Sequence, residues 1–170
     1  MHNRLEKKGG KIVEEIKELY DLYHDDLYRY IFSLTKNQHQ TEDILQSTFL
    51  SALQSLSSFQ RRSTIKTWLI GIARHEYFSY LRKNPMELGL YELTVEPGDI
   101  DPSEHELSWI ILQELSKLSE LQKEIAVLRL FNELTFAEIS IIIGKTENYC
   151  RVSFFRTKQK LMEVLQNEAD

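Results

Sequence analysis

The chain has almost no cysteine, little proline and no long hydrophobic run, and each shortage removes a class of protein. Cys150 is the only cysteine among the 170 residues, so an intrachain disulfide and a thiolate zinc site are both excluded. A reducing cytosol fits best. No apolar stretch nears the ~20 residues that a membrane-spanning helix needs. Met1 to Lys11 is polar and basic with no apolar core after it, so neither a signal peptide nor membrane insertion is expected. The five histidines, His2, His24, His39, His75 and His105, show no His-Glu-x-x-His pair or other metal-ligand spacing. A Gly-rich phosphate loop and a Gly-x-Ser-x-Gly elbow are missing too. Cys150 has no partner that would make it a nucleophile and reads as a small, partly buried helix residue. No enzyme, metal or cofactor is expected. Strand-like alternation is also absent, which leaves helices.

Ile16, Leu19, Tyr20, Tyr23, Leu27, Tyr30, Ile31 and Leu34 recur every three to four residues, the period of a long amphipathic helix. Asn37-Gln38-His39-Gln40 breaks it, and Thr41 is the expected cap of a second helix striped with Ile44, Leu45, Phe49, Ala52, Leu53 and Leu56. Ser57 to Thr64 reads as a polar loop. A third helix spans about Ile65 to Arg82, with Trp68, Leu69, Ile72, Ala73 and Leu81 inward. Asn84-Pro85 ends this block. All three prolines (Pro85, Pro97, Pro102) follow within a stretch of mostly acidic charge and no periodicity, a linker by composition. Three capping boxes then open helices at Ser103, Ser119 and Thr135. The expected architecture is all-α: two small helical domains joined by a flexible acidic linker.

The net charge of −5 does not point to nucleic acid, but its distribution does. Residues 61–83 hold Arg61, Arg62, Lys66, Arg74, Arg82 and Lys83 against Glu76 alone, and residues 144–160 hold Lys145, Arg151, Arg156, Lys158 and Lys160 against Glu147. The carboxylates concentrate in residues 85–121 between them. In the second basic block a short helix bearing Phe136, Ile139, Ile142 and Ile143 leads through Gly144 into a helix that Thr146 can cap. That helix carries its cations outward, with Cys150, Val152, Phe154, Phe155 and Leu161 able to share the buried side. This is the layout of a helix-turn-helix, whose second helix enters the DNA major groove. In the first block, cations interleave with Phe59 and Trp68, a composition suited to single strands because bases stack on rings while cations follow phosphates. For Trp68 a core role is favoured.

These residues resemble the bacterial RNA polymerase sigma factors of the sigma-70 family, in particular the extracytoplasmic-function (ECF) group. Thr41-Glu42-Asp43-Ile44-Leu45-Gln46-Ser47-Thr48-Phe49 is similar to the family's Ala-Glu-Asp-Leu-x-Gln-Glu-x-Phe pattern. Phe59 through Leu69 resembles Phe-Arg-x-x-Ser-x-Phe-Lys-Thr-Trp-Leu, and Ile72-Ala73-Arg74 the Ile-Ala-Arg that follows. Leu118-Ser119-Glu120-Leu121-Gln122, then Leu134 to Gly144 and the helix after it, resemble region 4. The resemblance implies a tail over 1–12, a region 2-like domain over 13–84, a linker over 85–103 and a region 4-like helix-turn-helix domain over 104–166.

It also implies a division of labour. Glu42, Asp43, Gln46 and Phe49 would dock on the clamp helices of the polymerase's largest subunit, with the flap region a further contact. Phe59, Arg61, Arg62, Ser63, Lys66, Arg74 and His75 would serve the −10 element, the loop Phe59–Thr64 capturing a flipped non-template base. Thr146, Asn148, Tyr149, Arg151, Ser153, Arg156 and Lys158 would serve the −35 duplex. An anti-sigma protein is the expected regulator and the bacterial cytoplasm the expected place of work. Holding both domains on one polymerase gives each weak DNA contact a high effective concentration, so a net-acidic protein can read promoters. Three positions depart from the family pattern: Ser47 where Glu is common, His75 where Asn is usual, and Ser153 where a cation is lost. An altered −35 preference is expected from the last. The alternatives are a sigma-like decoy that holds an anti-sigma partner without initiating transcription, and a stand-alone helix-turn-helix repressor. The cations in both DNA-facing segments argue against the first, and the pattern at Glu42–Phe49 against the second.

Overall fold

The computed structural model describes residues 2–84 and 117–168. Among these residues there are six α-helices, one 3-10 turn and no strand, as the all-α expectation requires. They belong to two compact units, Met1–Glu92 and Leu93–Asp170. The linker expected over 85–103, the capping box expected at Ser103 and most of the helix it opens lie outside the described residues.

In the first unit α1 spans His2–Thr35, α2 Gln38–Ser55 and α3 Ile65–Lys83, with the 3-10 turn Leu56–Ser58 after α2. Each helix packs on the other two. Leu27, Tyr30, Ile31, Ile44, Leu45, Phe49, Ala52, Leu69, Ile70 and Ala73 are buried. At ~1.5–3 kcal/mol for each large apolar side chain, this burial is the main favourable term of the bundle. The cap of α2 differs from expectation. Asn37, in extended backbone, accepts from the Gln40 N–H at 3.0 Å. Thr41 is buried one turn inside, its hydroxyl donating to the Asn37 carbonyl at 2.8 Å and lying 2.7 Å from the Thr35 hydroxyl. Thr41 therefore ties the α1–α2 corner instead of capping. Thr64 caps α3, accepting from the Thr67 N–H at 3.1 Å.

In the second unit α4 spans Glu120–Leu130, α5 Phe136–Ile143 and α6 Glu147–Glu168. The boxes Ser119/Gln122 and Thr135/Glu138 form as expected. Gly144 ends α5 at φ 70°, its N–H donating to the Ser140 carbonyl. That left-handed conformation is one that glycine takes without Cβ strain. Thr146 accepts from the Tyr149 N–H at 3.1 Å and so opens α6. The inward register of α6 is Cys150, Ser153, Phe154, Thr157 and Leu161. Val152 and Phe155, expected on the buried side, are exposed, because at ~100° per residue both fall ~150° from the centre of that stripe. Burial pushes the Cys150 thiol up from its ordinary value, which keeps it protonated and unreactive.

The register places two hydroxyls indoors. Ser153 and Thr157 are buried, and neither hydroxyl has a hydrogen-bond partner. An unsatisfied buried hydroxyl costs about 1 kcal/mol or more, while an apolar group of the same shape costs nothing comparable. Thr157→Val should stabilise this unit by about 1 kcal/mol, read as roughly fivefold slower hydrogen exchange of the α6 amides. Faster exchange would show that the Thr157 hydroxyl contributes a bond.

Candidate nucleic-acid interface

The loop between α2 and α3 is built around one ring stack. Phe59, half-buried, lies against Trp68 with centroids 4.9 Å apart and planes at 37°. Trp68 is itself half-buried and not sealed in the core. Arg61 and Arg62 follow, both exposed, and Arg61 adopts φ 54°. A left-handed non-glycine residue costs ~1–2 kcal/mol, and here it turns the chain sharply between the Phe59 ring and the Thr64 cap. The Ser63 hydroxyl donates to the Thr64 carbonyl at 3.2 Å.

The α3 cations are placed unequally. Lys66 is half-buried and paired with Asp26 of α1 at 2.8 Å, so it braces two helices. Arg74 sits 4.7 Å over the Phe78 ring, a cation–π contact that holds it along the helix. His75 is exposed, 73% of its side chain open to solvent. On α2, Glu42, Asp43 and Gln46 are exposed, with Glu42 accepting from Gln38 Nε2 at 2.9 Å. Phe49 is only 7% exposed and packs on Tyr20 at 4.8 Å. It supports this stripe from beneath.

On α6 the structure sorts the expected residues into two groups. Asn148, Tyr149, Ser153 and Arg156, with Thr146, Val152 and Gln122 of α4, line one depression of about 360 Å³. Ser153 is its buried floor, 7% exposed. Arg151 and Lys158 stand on the other edge of α6, ~140° and ~160° of helix rotation from Arg156. Arg151 pairs with Glu147 one turn back and lies 5.8 Å over the Phe136 ring. The Gln122 and Val152 walls are not legible in the sequence, because Gln122 reads as a capping residue and Val152 as core. Asp26 is likewise missed, since nothing local links it to Lys66.

The arrangement is two helical units, one with a basic ring-bearing loop and one with a capped helix-turn-helix. A model of Sigma-70 region 2 matches residues 19–85, and one of Sigma-70, region 4 matches residues 108–161. The chain is 30% identical over 156 residues to the RNA polymerase sigma factor YlaC of Bacillus subtilis, covering 87% of this chain and 90% of that relative. The chain belongs to the sigma-70 family, in its ECF group. This sigma factor is also 30% identical over 151 residues to the ECF RNA polymerase sigma factor SigM of Bacillus subtilis, covering 86% of this chain and 92% of the relative. Among solved structures, the sigma factor RpoE in complex with the anti-sigma factor NepR, from Bartonella quintana, superposes with a TM-score of 0.73 at 25% identity. That match covers 90% of this chain and 98% of the other. Sigma factors are not an enzyme class. None of the helices of this sigma factor among the described residues is long and apolar enough to cross a membrane.

Proposed function

We propose that this sigma factor docks on core RNA polymerase through Glu42, Asp43 and Gln46, and reads promoters through the Phe59–Thr64 loop and α6. The observation that carries this reading is the polarity of the first unit. The exposed carboxylates Glu42 and Asp43 sit on α2, whereas the exposed cations Arg61 and Arg62 sit on the loop that leads into α3. One small bundle thus offers a cationic partner one face and DNA another. In this reading residues 13–84 serve polymerase and the −10 element, 85–103 connect, and 104–166 serve the −35 element. Phe49 and Lys66 act by holding the helices, and Ser153 as the floor beneath Asn148, Tyr149 and Arg156. The protein has no catalytic centre of its own, works in the bacterial cytoplasm where polymerase is, and is held in check by an anti-sigma protein, as RpoE is seen with NepR.

The test is to add the purified chain to bacterial core polymerase and map transcript starts on genomic DNA. Discrete starts sharing −10 and −35 sequences are expected, and Arg156→Ala or Tyr149→Ala should redistribute them. Absence of any polymerase binding would sink the reading. The phosphate-facing cations have a separate signature. Each cation that neutralises a phosphate steepens the salt dependence of binding, so Lys158→Ala should weaken holoenzyme binding uniformly across promoters. It should also lower the slope of log K against log salt by about 1. An unchanged slope would remove Lys158 from the interface.

A further inference from the structure

Two apolar side chains stand on the solvent face of α6, in the middle of its basic stretch. Val152 is 40% and Phe155 55% exposed. Phe155 is braced by Phe136 at 6.4 Å and Phe154 at 6.1 Å, so its ring is held in place while more than half of it meets water. Val152 forms one wall of the depression that Asn148, Tyr149 and Arg156 share. Apolar surface left in water gains free energy only when a partner covers it.

Helix rotation sets what borders them. Val152 and Phe155 lie ~60° apart around α6, with Asn148 between them. Arg156 lies ~40° beyond Val152 on one side, and Arg151 and Lys158 lie ~40° and ~60° beyond Phe155 on the other. Asn148 and these three cations are all exposed. Lys145, 5.9 Å over the Tyr149 ring, adds a further cation beside the depression. The only carboxylate from Lys145 through Lys160 is Glu147, and it is paired with Arg151. The face therefore has an apolar centre and a cationic border on each side.

Charge then selects the occupant. A protein helix laid on this stripe would need carboxylates along both its edges, whereas duplex DNA has phosphates on both edges of its major groove and base edges on the floor. The groove is ~12 Å wide and a helix with its side chains ~10–12 Å across. Central residues of α6 would thus reach bases while its borders reach phosphates. Among the base edges only thymine presents an apolar group, its 5-methyl. Valine and phenylalanine have no side-chain donor or acceptor with which to read the others. From Val152 to Phe155 the helix rises ~4.5 Å, against ~3.4 Å for one base step, so the two side chains meet neighbouring base pairs.

We infer that Val152 and Phe155 select thymine in the −35 element, each covering a thymine 5-methyl group in neighbouring base pairs. This rests on the −35 reading of α6 above and adds to it the base that is chosen and the two residues that choose it. The test uses holoenzyme reconstituted from the full-length chain and bacterial core polymerase, with circular dichroism confirming the helix content of each variant. A preferred −35 sequence is selected from duplexes randomised at that element. Its thymines are then replaced one at a time by deoxyuridine, which removes the methyl and nothing else. Thymines at two adjacent pairs are expected, and deoxyuridine at either should weaken binding about fourfold, the worth of one buried methyl group. Val152→Ser should bind the thymine and deoxyuridine duplexes equally at one of these positions and Phe155→Ala at the other, whereas Val152→Ile should keep the preference. Equal binding of both duplexes by wild type, with −35 selectivity still lost in Arg156→Ala, would overturn the methyl contact and leave the −35 reading standing. Binding indifferent to the −35 sequence altogether would overturn both. Unchanged deoxyuridine penalties in Val152→Ser and Phe155→Ala would also overturn the inference, since other residues would then hold the methyls. So would weaker holoenzyme assembly in those variants with promoter preference unchanged, the mark of a protein partner on the stripe.

Discussion

Replacing Asp43 with arginine should lower affinity for core RNA polymerase by about 100-fold and leave the fold intact. Asp43 is exposed near the start of α2, beside Glu42 and one turn before Gln46, and helix residues three or four apart share a face. With no lysine or arginine on α2, that face has one sign of charge. Reversal does more than delete an attraction. It sets a cation against a cationic partner, and breaking a close charge pair at an interface costs ~2–5 kcal/mol. Because the side chain is on the surface, the cost to folding is small, within about 0.5 kcal/mol. Co-elution with core polymerase and a titration of labelled protein would read the first effect, and a thermal melt the second. An Asp43→Arg chain that still forms holoenzyme at wild-type affinity would move the docking face elsewhere.

Phe59→Ala should weaken holoenzyme binding to a single-stranded −10 non-template oligonucleotide by roughly 30-fold, since a base–aromatic stack is worth ~1–3 kcal/mol. The ring is half-buried against Trp68 and flanked by two exposed arginines. A captured base would therefore meet a rigid aromatic platform with cations placed for the adjoining phosphates. Binding to −35 duplex should be unchanged, because that contact belongs to the other unit. Phe59→Tyr keeps the platform and should restore affinity, whereas Phe59→Leu fills the space over Trp68 without stacking and should not. Equal binding by Phe59→Leu and wild type would mean that the residue only packs.

Local signals were the ones a reader of the sequence could trust. The capping boxes at Ser119 and Thr135, the Gly144 turn and the Thr146 cap each depend on residues three or four apart, so their chemistry is visible without a fold. The break between α1 and α2 was equally visible, but two neighbouring candidates competed for the cap. Asn37 holds it because Thr41 is occupied by Thr35, a contact across the corner. The row of rings on α1, Tyr20, His24, Tyr28 and Phe32, was present as an i, i+4 spacing, yet Tyr20 read as stripe. Only burial separates these rings from core.

The sequence by itself determined that this is an all-helical chain of the sigma-70 family, with cations in two blocks and an aromatic-rich basic loop. Helix period, capping and charge pattern are carried by residues close together along the chain. The tertiary structure alone decided which faces those helices turn to solvent. It buried Ser153, turned Val152 and Phe155 outward and tied Lys66 to Asp26, a residue 40 positions away. It also gathered Asn148, Tyr149 and Arg156 with Gln122 around one depression. A helix of mixed composition can bury any of several stripes, and which one it buries is set by the shape of the helices it packs against.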